Sequence, residues 1–267
     1  MPRRLFLGLV MLSALVASAT AAAEPVTVAV VDTGVDTTQP FLAGRLAAGY
    51  DALAEQQTGW HGTAIASVAA GTLCQDCVVM PVKALDAAGD GSDADIARGI
   101  RWAVDHGARV VNLSLEGPSE APVLRTAIAY AFRKGAVVVA AAGNDAASAP
   151  TYPAADRFAI GVAAVDVNGR LYPWSNRGRW VAVAAAGVNS ATVPGGATFG
   201  FEGTSSAAAV VSGIAGRCLA AAPSLTPTLV RRALVAAATP IAGAAFGRVD
   251  ADRTVALCLR LATEVPS

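Results

Sequence analysis

The stretch Val26-Thr-Val-Ala-Val-Val31-Asp32-Thr33-Gly34 sets the reading of this chain. Its β-branched residues favour an extended strand, and Thr33-Gly34 breaks it just after a carboxylate. The run is apolar at successive positions, which is the pattern of a strand covered on both faces. Further runs of the same kind follow at Val78 to Lys83, Arg109 to Leu113, Ala136 to Ala141 and Phe158 to Ala163. Between them, 93–106 and 118–134 carry helical spacing. Ser92 with Asp95 three residues on predicts a helix start at Asp93. Strands alternating with helices predict an α/β fold: one parallel β-sheet with helices on both faces.

Two more helices are expected at 204–222 and 226–238. The first is apolar nearly all round apart from Arg217. A membrane span competes with that reading, but the small residues and the polar start at Thr204 favour a helix buried inside the domain. No linker-like run divides the chain, so a single domain is expected.

Composition narrows the function. The 267 residues carry 20 basic and 20 acidic side chains, and a balanced charge excludes a nucleic-acid binder, which needs clustered Lys and Arg. With 54% hydrophobic and 15% charged residues, intrinsic disorder is excluded as well.

Arg3 and Arg4, the apolar stretch Leu5 to Val16 and the small residues Ala21-Ala22-Ala23 form a secretory signal pattern. The expectation is a signal peptide over 1–23, one domain over 24–267, and export to the periplasm or the medium. The apolar stretch is short for a bilayer span, so no stable membrane anchor is expected after cleavage.

Cys74, Cys77, Cys218 and Cys258 are an even set in an exported chain, which suggests disulfides, with three connectivities open. Zinc is disfavoured because Cys74 and Cys77 lack a second ligand pair, and His61 and His106 lie far from them in sequence.

In an open parallel sheet, chemistry collects at the carboxyl ends of strands and at nearby helix starts. Asp32 ends the first strand, and Asn144 follows the 136–141 strand through Ala142-Gly143. His61 and Ser205 each open a helical stretch of small residues. Singly, an Asp after a strand is a turn former and a Ser at a helix start is an N-cap. Together they supply a carboxylate, an imidazole, a hydroxyl and an amide donor, the set that acyl transfer needs.

Val28-Ala-Val-Val-Asp32-Thr-Gly-Val-Asp36, His61-Gly-Thr-Ala-Ile-Ala66 and Gly203-Thr-Ser205-Ser-Ala207 resemble the three catalytic motifs of subtilisin-like serine proteases, in that family's order. The resemblance extends through Val111-Asn-Leu-Ser-Leu-Glu-Gly-Pro118, Ala141-Ala-Gly-Asn144 and Ser175-Asn-Arg-Gly178. It continues through Leu225-Thr-Pro-Thr-Leu-Val-Arg231 to Gly247-Arg-Val-Asp-Ala251, essentially the whole chain after the signal.

The resemblance implies a serine endopeptidase acting on polypeptide substrates, with no cofactor and no catalytic metal. Ser205 would be the nucleophile, His61 the general base and Asp32 its orienting carboxylate. Asn144 and the Ser205 N–H would hold the oxyanion. Gly89-Asp90-Gly91 and Ser114-Leu115-Glu116 would flank the extended substrate. The pocket before the scissile bond would lie between Ser114-Leu115-Glu116 and Ala142-Gly143-Asn144, with Glu116 and Asp145 at its rim and Thr151 at its base.

Against the family, Gly71 to Val78 is too short for the calcium loop many relatives insert. A Cys74–Cys77 bridge is expected to stiffen that turn, leaving Cys218 to pair with Cys258. The acidic stretch 86–95 lacks EF-hand spacing and reads as a substrate-flanking loop plus helix cap. Trp60 stands before His61 where relatives commonly carry Gly. Ala208-Ala209-Val210 replace a Pro-containing run. No recognisable prosegment separates residue 23 from the first strand, so a separate inhibitor or chaperone is an expected partner of an otherwise monomeric chain.

The rival class is a catalytically silent binding protein that keeps the groove, and it is disfavoured by the intact set Asp32, His61, Asn144 and Ser205. An esterase with a nucleophile elbow is excluded because Gly203-Thr-Ser205-Ser-Ala207 is not Gly-x-Ser-x-Gly and the order of the triad differs.

Overall fold

The computed structural model describes residues 24–55 and 57–264. The expected signal segment, 1–23, lies outside them. In chain order the elements are β1 (Thr27–Asp32), β2 (Tyr50–Asp51), α1 (Trp60–Thr72), β3 (Val78–Lys83), α2 (Asp93–Asp105), β4 (Ala108–Leu113), α3 (Pro122–Arg133) and β5 (Val137–Ala141). There follow β6 (Ala159–Val165), β7 (Val183–Ala186), β8 (Val188–Thr192), β9 (Thr198–Glu202), α4 (Thr204–Ala221) and α5 (Pro227–Ala237). β10 (Thr239–Pro240), β11 (Gly247–Arg248) and α6 (Ala251–Glu264) complete the chain.

The main sheet has the order β10-β11-β7-β6-β5-β4-β1-β3-β2. All its pairings are parallel except the antiparallel β10–β11 edge. Successive side chains on a strand point to opposite faces, so each central strand feeds two cores. Val28 and Val30 of β1 pack with Val137 and Val139 of β5 against α1 and α4. Ala29 and Val31 pack with Val138 and Ala140 against α2 and α3. That double coverage is why these strands read as unbroken apolar runs.

The long apolar helix α4 is a core helix, with Ala207, Ala208, Ala209, Val211 and Ala215 fully buried among α1, α6 and the sheet. Small residues let it approach closely. A Cβ on Gly213 would come within 1.8 Å of the Thr72 hydroxyl on α1.

The helix expected from residue 118 starts instead at Pro122. Gly117 pairs with Tyr152 in an antiparallel bridge, which holds the backbone extended there. A residue before proline avoids the helical region, and Pro122 fits the first helical position, where no N–H is needed. Cys74 is bonded to Cys77, closing the turn after α1, and Cys218 of α4 is bonded to Cys258 of α6.

Candidate functional site

The carboxyl ends of β1, β4 and β5 and the N-termini of α1 and α4 meet at one edge of the sheet. Asp32, the last residue of β1, is fully buried. Its carboxylate accepts from the Thr33 N–H at 2.8 Å and from His61 Nδ1, with Oδ1 at 2.8 Å and Oδ2 at 3.0 Å. A carboxylate can only accept, so Nδ1 carries the proton and Nε2 is left as the basic nitrogen. His61 sits in the first turn of α1, whose start is tied to β1 by the Gly62 N–H donating to Thr33 Oγ1 at 3.0 Å. Burial pulls the imidazole pKa down, but the Asp32 charge and its hydrogen bond outweigh this and hold it above the ordinary value.

Ser205 occupies the first turn of α4, where the positive end of the helix dipole lies. The turn that presents it needs glycine, because Gly203 has φ +146°, a conformation that L side chains rarely adopt. The Ser205 hydroxyl donates to the Ser114 carbonyl at 3.3 Å. Among the described residues it makes no hydrogen bond to His61, and rotation about its Cα–Cβ bond would redirect it.

Asn144, three residues past the end of β5, has its side chain fixed from one end. Oδ1 accepts from the Thr204 N–H at 2.9 Å and from Thr204 Oγ1 at 3.1 Å, which leaves the NH₂ group to donate elsewhere. A Cβ placed on Gly203 would lie 3.7 Å from the Ser205 nitrogen and 3.9 Å from Asn144 Nδ2, so both donors line one small space. Thr204 also accepts from the Gly143 N–H at 2.9 Å and so ties the β5 loop to α4.

Glu116 is solvent-exposed. Its carboxylate reaches over Gly143, where Oε2 would stand only 1.6 Å from an added Cβ. Gly143 has φ +103°, so no other residue type suits that position on either count. Glu116 Oε1 accepts from the Asn144 N–H and Oε2 from Asn176 Nδ2, both at 3.3 Å. Desolvation first, then the charge of Asp145, push its carboxyl pKa up, and the Asn144 hydrogen bond only partly offsets them. Ser114 is buried, Leu115 packs with the α2–α3 core, and Thr151 is buried with its hydroxyl donating to the Ala142 carbonyl at 2.6 Å.

Gly89, Asp90 and Gly91 form an exposed loop across the edge from Ser114. Asp86 fixes it by accepting from the Ala88 and Asp90 N–H groups at 2.9 and 3.0 Å. Ser92 caps α2 by accepting from the Asp95 N–H at 3.1 Å. Among the described residues, no three His, Cys, Asp or Glu side chains gather to hold a metal ion.

Two residues of this edge were not singled out by sequence. Asn176 is fully buried and bridges three segments. Its Oδ1 accepts from the Asp145 and Ala147 N–H groups at 3.0 and 2.8 Å, while Nδ2 also donates to the Ala142 carbonyl at 3.0 Å. The motif Ser175-Asn-Arg-Gly178 was the available signal. Phe201 is the other, with its ring centroid 5.5 Å from that of His61, edge to face.

The profile of the subtilase family matches residues 23–255. The chain is 37% identical over 246 residues to a thermophilic serine proteinase of Bacillus sp. (strain AK1). That match covers 85% of this chain and 61% of the relative. It is likewise 37% identical to thermitase of Thermoactinomyces vulgaris, over 85% of this chain and 88% of thermitase. Among solved structures, a cold adapted subtilisin-like serine proteinase superposes with a TM-score of 0.77 at 26% identity, covering 84% of this chain and 86% of that one.

Proposed function

The chain belongs to the subtilase family of serine endopeptidases, and from that premise we propose that Ser205, His61, Asp32 and Asn144 carry out its peptide hydrolysis. His61 Nε2 takes the proton of the Ser205 hydroxyl as the oxygen attacks the substrate carbonyl. The carbonyl oxygen becomes negative in the tetrahedral intermediate, and the Asn144 NH₂ and the Ser205 N–H donate to it. The dipole of α4 adds its positive end. His61 then passes the proton to the leaving amine, which breaks the C–N bond and leaves an acyl-enzyme. Water repeats the sequence and releases the acid. Asp32 keeps the imidazole in the tautomer this requires and stabilises its cation.

The observation that carries this reading is the pinning of Asn144. Its acceptor end is taken by Thr204, which leaves its NH₂ group, beside Gly203 as the Ser205 N–H is, available as a donor before any substrate arrives. Such preorganisation is useful where negative charge develops, and a groove kept only for binding does not need it.

The extended substrate is proposed to run between Gly89-Asp90-Gly91 and Ser114-Leu115-Glu116, with the side chain before the scissile bond directed toward Glu116, Gly143 and Thr151. The enzyme is proposed to be exported after removal of residues 1–23.

The test is labelling of the purified protein with a fluorophosphonate. Modification at Ser205, abolished in Ser205→Ala, is expected. A folded protein that leaves Ser205 unmodified would overturn the catalytic reading in favour of a silent groove.

A further inference from the structure

Trp60 precedes the base and is 49% exposed although it is a large hydrophobic residue. It belongs to an aromatic cluster that continues across the active-site edge. Its ring centroid lies 5.5 Å from that of His61, 5.9 Å from Phe199 and 5.8 Å from Phe201, all edge to face. Phe199 is 39% exposed. Thr58, Trp60, Val193, Pro194 and Phe199 line an open recess of about 520 Å³ beside them.

The recess has a fixed wall. Phe199 and Phe201 stand on β9 of the β8–β9 hairpin, whose tip is tied to α1 by the Thr192 N–H donating to Ser67 Oγ at 2.9 Å. β9 leads directly through Gly203 into Ser205, so the hairpin borders the nucleophile on one side. The Ser114 carbonyl borders it on the other, where it accepts from the Ser205 hydroxyl.

These positions divide the substrate. If the acyl half lies along Ser114-Leu115-Glu116, the half beyond the scissile bond must cross Ser205 toward His61 and the hairpin. There it meets the exposed faces of Trp60 and Phe199. We propose that this recess is a binding site for an apolar, preferably aromatic, side chain on the leaving-group side of the peptide. The proposal rests on the peptidase reading above. Edge-to-face packing leaves ring faces open to a further aromatic or aliphatic group, and burying them removes apolar surface from water. The site lies beside the protonated His61 that must hand its proton to the departing amine, so a side chain anchored there also orients that amine.

The partitioning of an acyl-enzyme reads this half of the groove alone. With a peptide ester as acyl donor, water competes with added glycinamide, leucinamide or phenylalaninamide. The amine nitrogen bonds to the acyl carbon, the carbon–Oγ bond breaks, and the amine proton returns through His61 to Ser205. The ratio of amide to acid product measures capture of each amine. Phenylalaninamide and leucinamide are expected to be captured roughly tenfold better than glycinamide, the scale of an apolar subsite. That preference should fall to within about twofold in Trp60→Ser and in Phe199→Ser, where the second change touches no residue of the triad. An absent preference in the native enzyme, or one unchanged in both variants, would overturn the subsite. Failure to form either product would instead overturn the peptidase reading on which it rests.

Discussion

Ser212, two turns into α4, donates its hydroxyl to Asn112 Oδ1 on β4 at 2.9 Å, and both side chains are fully buried. The contact continues outward: Asn112 Nδ2 donates to Ser114 Oγ at 2.9 Å, and Ser114 Oγ to the Ser205 carbonyl at 3.1 Å. A chain of hydrogen bonds therefore fixes the first turn of α4 against the end of β4. Ser212→Ala would leave Asn112 Oδ1 buried without this donor. It is expected to lower unfolding stability by about 1–3 kcal/mol, measured by denaturant titration. Because Asn112, which donates to Ser114, then loses one of its own fixing contacts, kcat should fall more than KM rises; unaltered stability and kcat would show that the chain is incidental.

Glu116 separates shape from charge. Its side chain covers Gly143, and its carboxylate sits near Asp145. The native enzyme is expected to cleave poorly after Asp and Glu and after large aromatics. Glu116→Gly should raise kcat/KM for Phe and Tyr at that position by at least roughly tenfold. Glu116→Gln keeps the bulk, so it should relax the rejection of acids alone. Peptide-library profiling reads all three enzymes. A native profile dominated by Phe and Tyr, unaltered in Glu116→Gly, would place the specificity elsewhere.

The hydrogen bonding of Glu116 to the Asn144 N–H and to Asn176 was beyond sequence reading for a physical reason. It depends on Gly143 and Asn176, 27 and 60 positions away, whose approach only the folded sheet creates. β1 and β5, by contrast, were legible because burial on both faces demands unbroken β-branched and small residues. Asp32, His61, Asn144 and Ser205 were legible as residues because each sits in a short motif at the end of such an element. The β8–β9 hairpin had a local signal in Gly195-Gly196, but its strands lack strict alternation and most of their residues face solvent. The amphipathic α6 was not read as a helix, although its Cys258 was expected to bond Cys218 of α4.

The two disulfides should differ sharply in their contribution to stability. The Cys218–Cys258 bond closes a loop across 40 positions and ties α4 to α6. In the chain-entropy picture that constraint contributes about 4 kcal/mol, while the three-residue separation of Cys74–Cys77 contributes under about 2. Cys218→Ala/Cys258→Ala is therefore expected to lower the denaturation midpoint far more than Cys74→Ala/Cys77→Ala. Comparable losses in the two double variants would show that native packing, not chain entropy, dominates.

Loss of the central groups sets the catalytic scale. Ser205→Ala or His61→Ala should reduce kcat by about 10⁶, and Asn144→Ala by about 10²–10³, the magnitudes known for the equivalent groups of subtilisin itself. Active-site titration with single-turnover kinetics would check them. Undiminished turnover in Ser205→Ala would remove it as nucleophile.

The pH profile tests the Asp32–His61 pair directly. Neutral His61 is the reactive form, so activity must rise as pH passes upward through its pKa. That pKa lies above the ordinary imidazole value, because Asp32 outweighs burial. The acid limb of kcat/KM should therefore have its midpoint above about 6.5. The same shift links to stability: protonation favours the folded state, so the contribution is fully present below the unfolded pKa and is lost as pH rises through the folded one. Asp32→Asn removes the charge and leaves burial acting alone. Its residual activity, about 10⁴-fold lower, should show an acid limb moved below the ordinary value. The linkage then reverses, and stability should be lost as pH falls through the lowered pKa. Matching acid limbs in the native enzyme and Asp32→Asn would mean that the carboxylate does not set the basicity of His61.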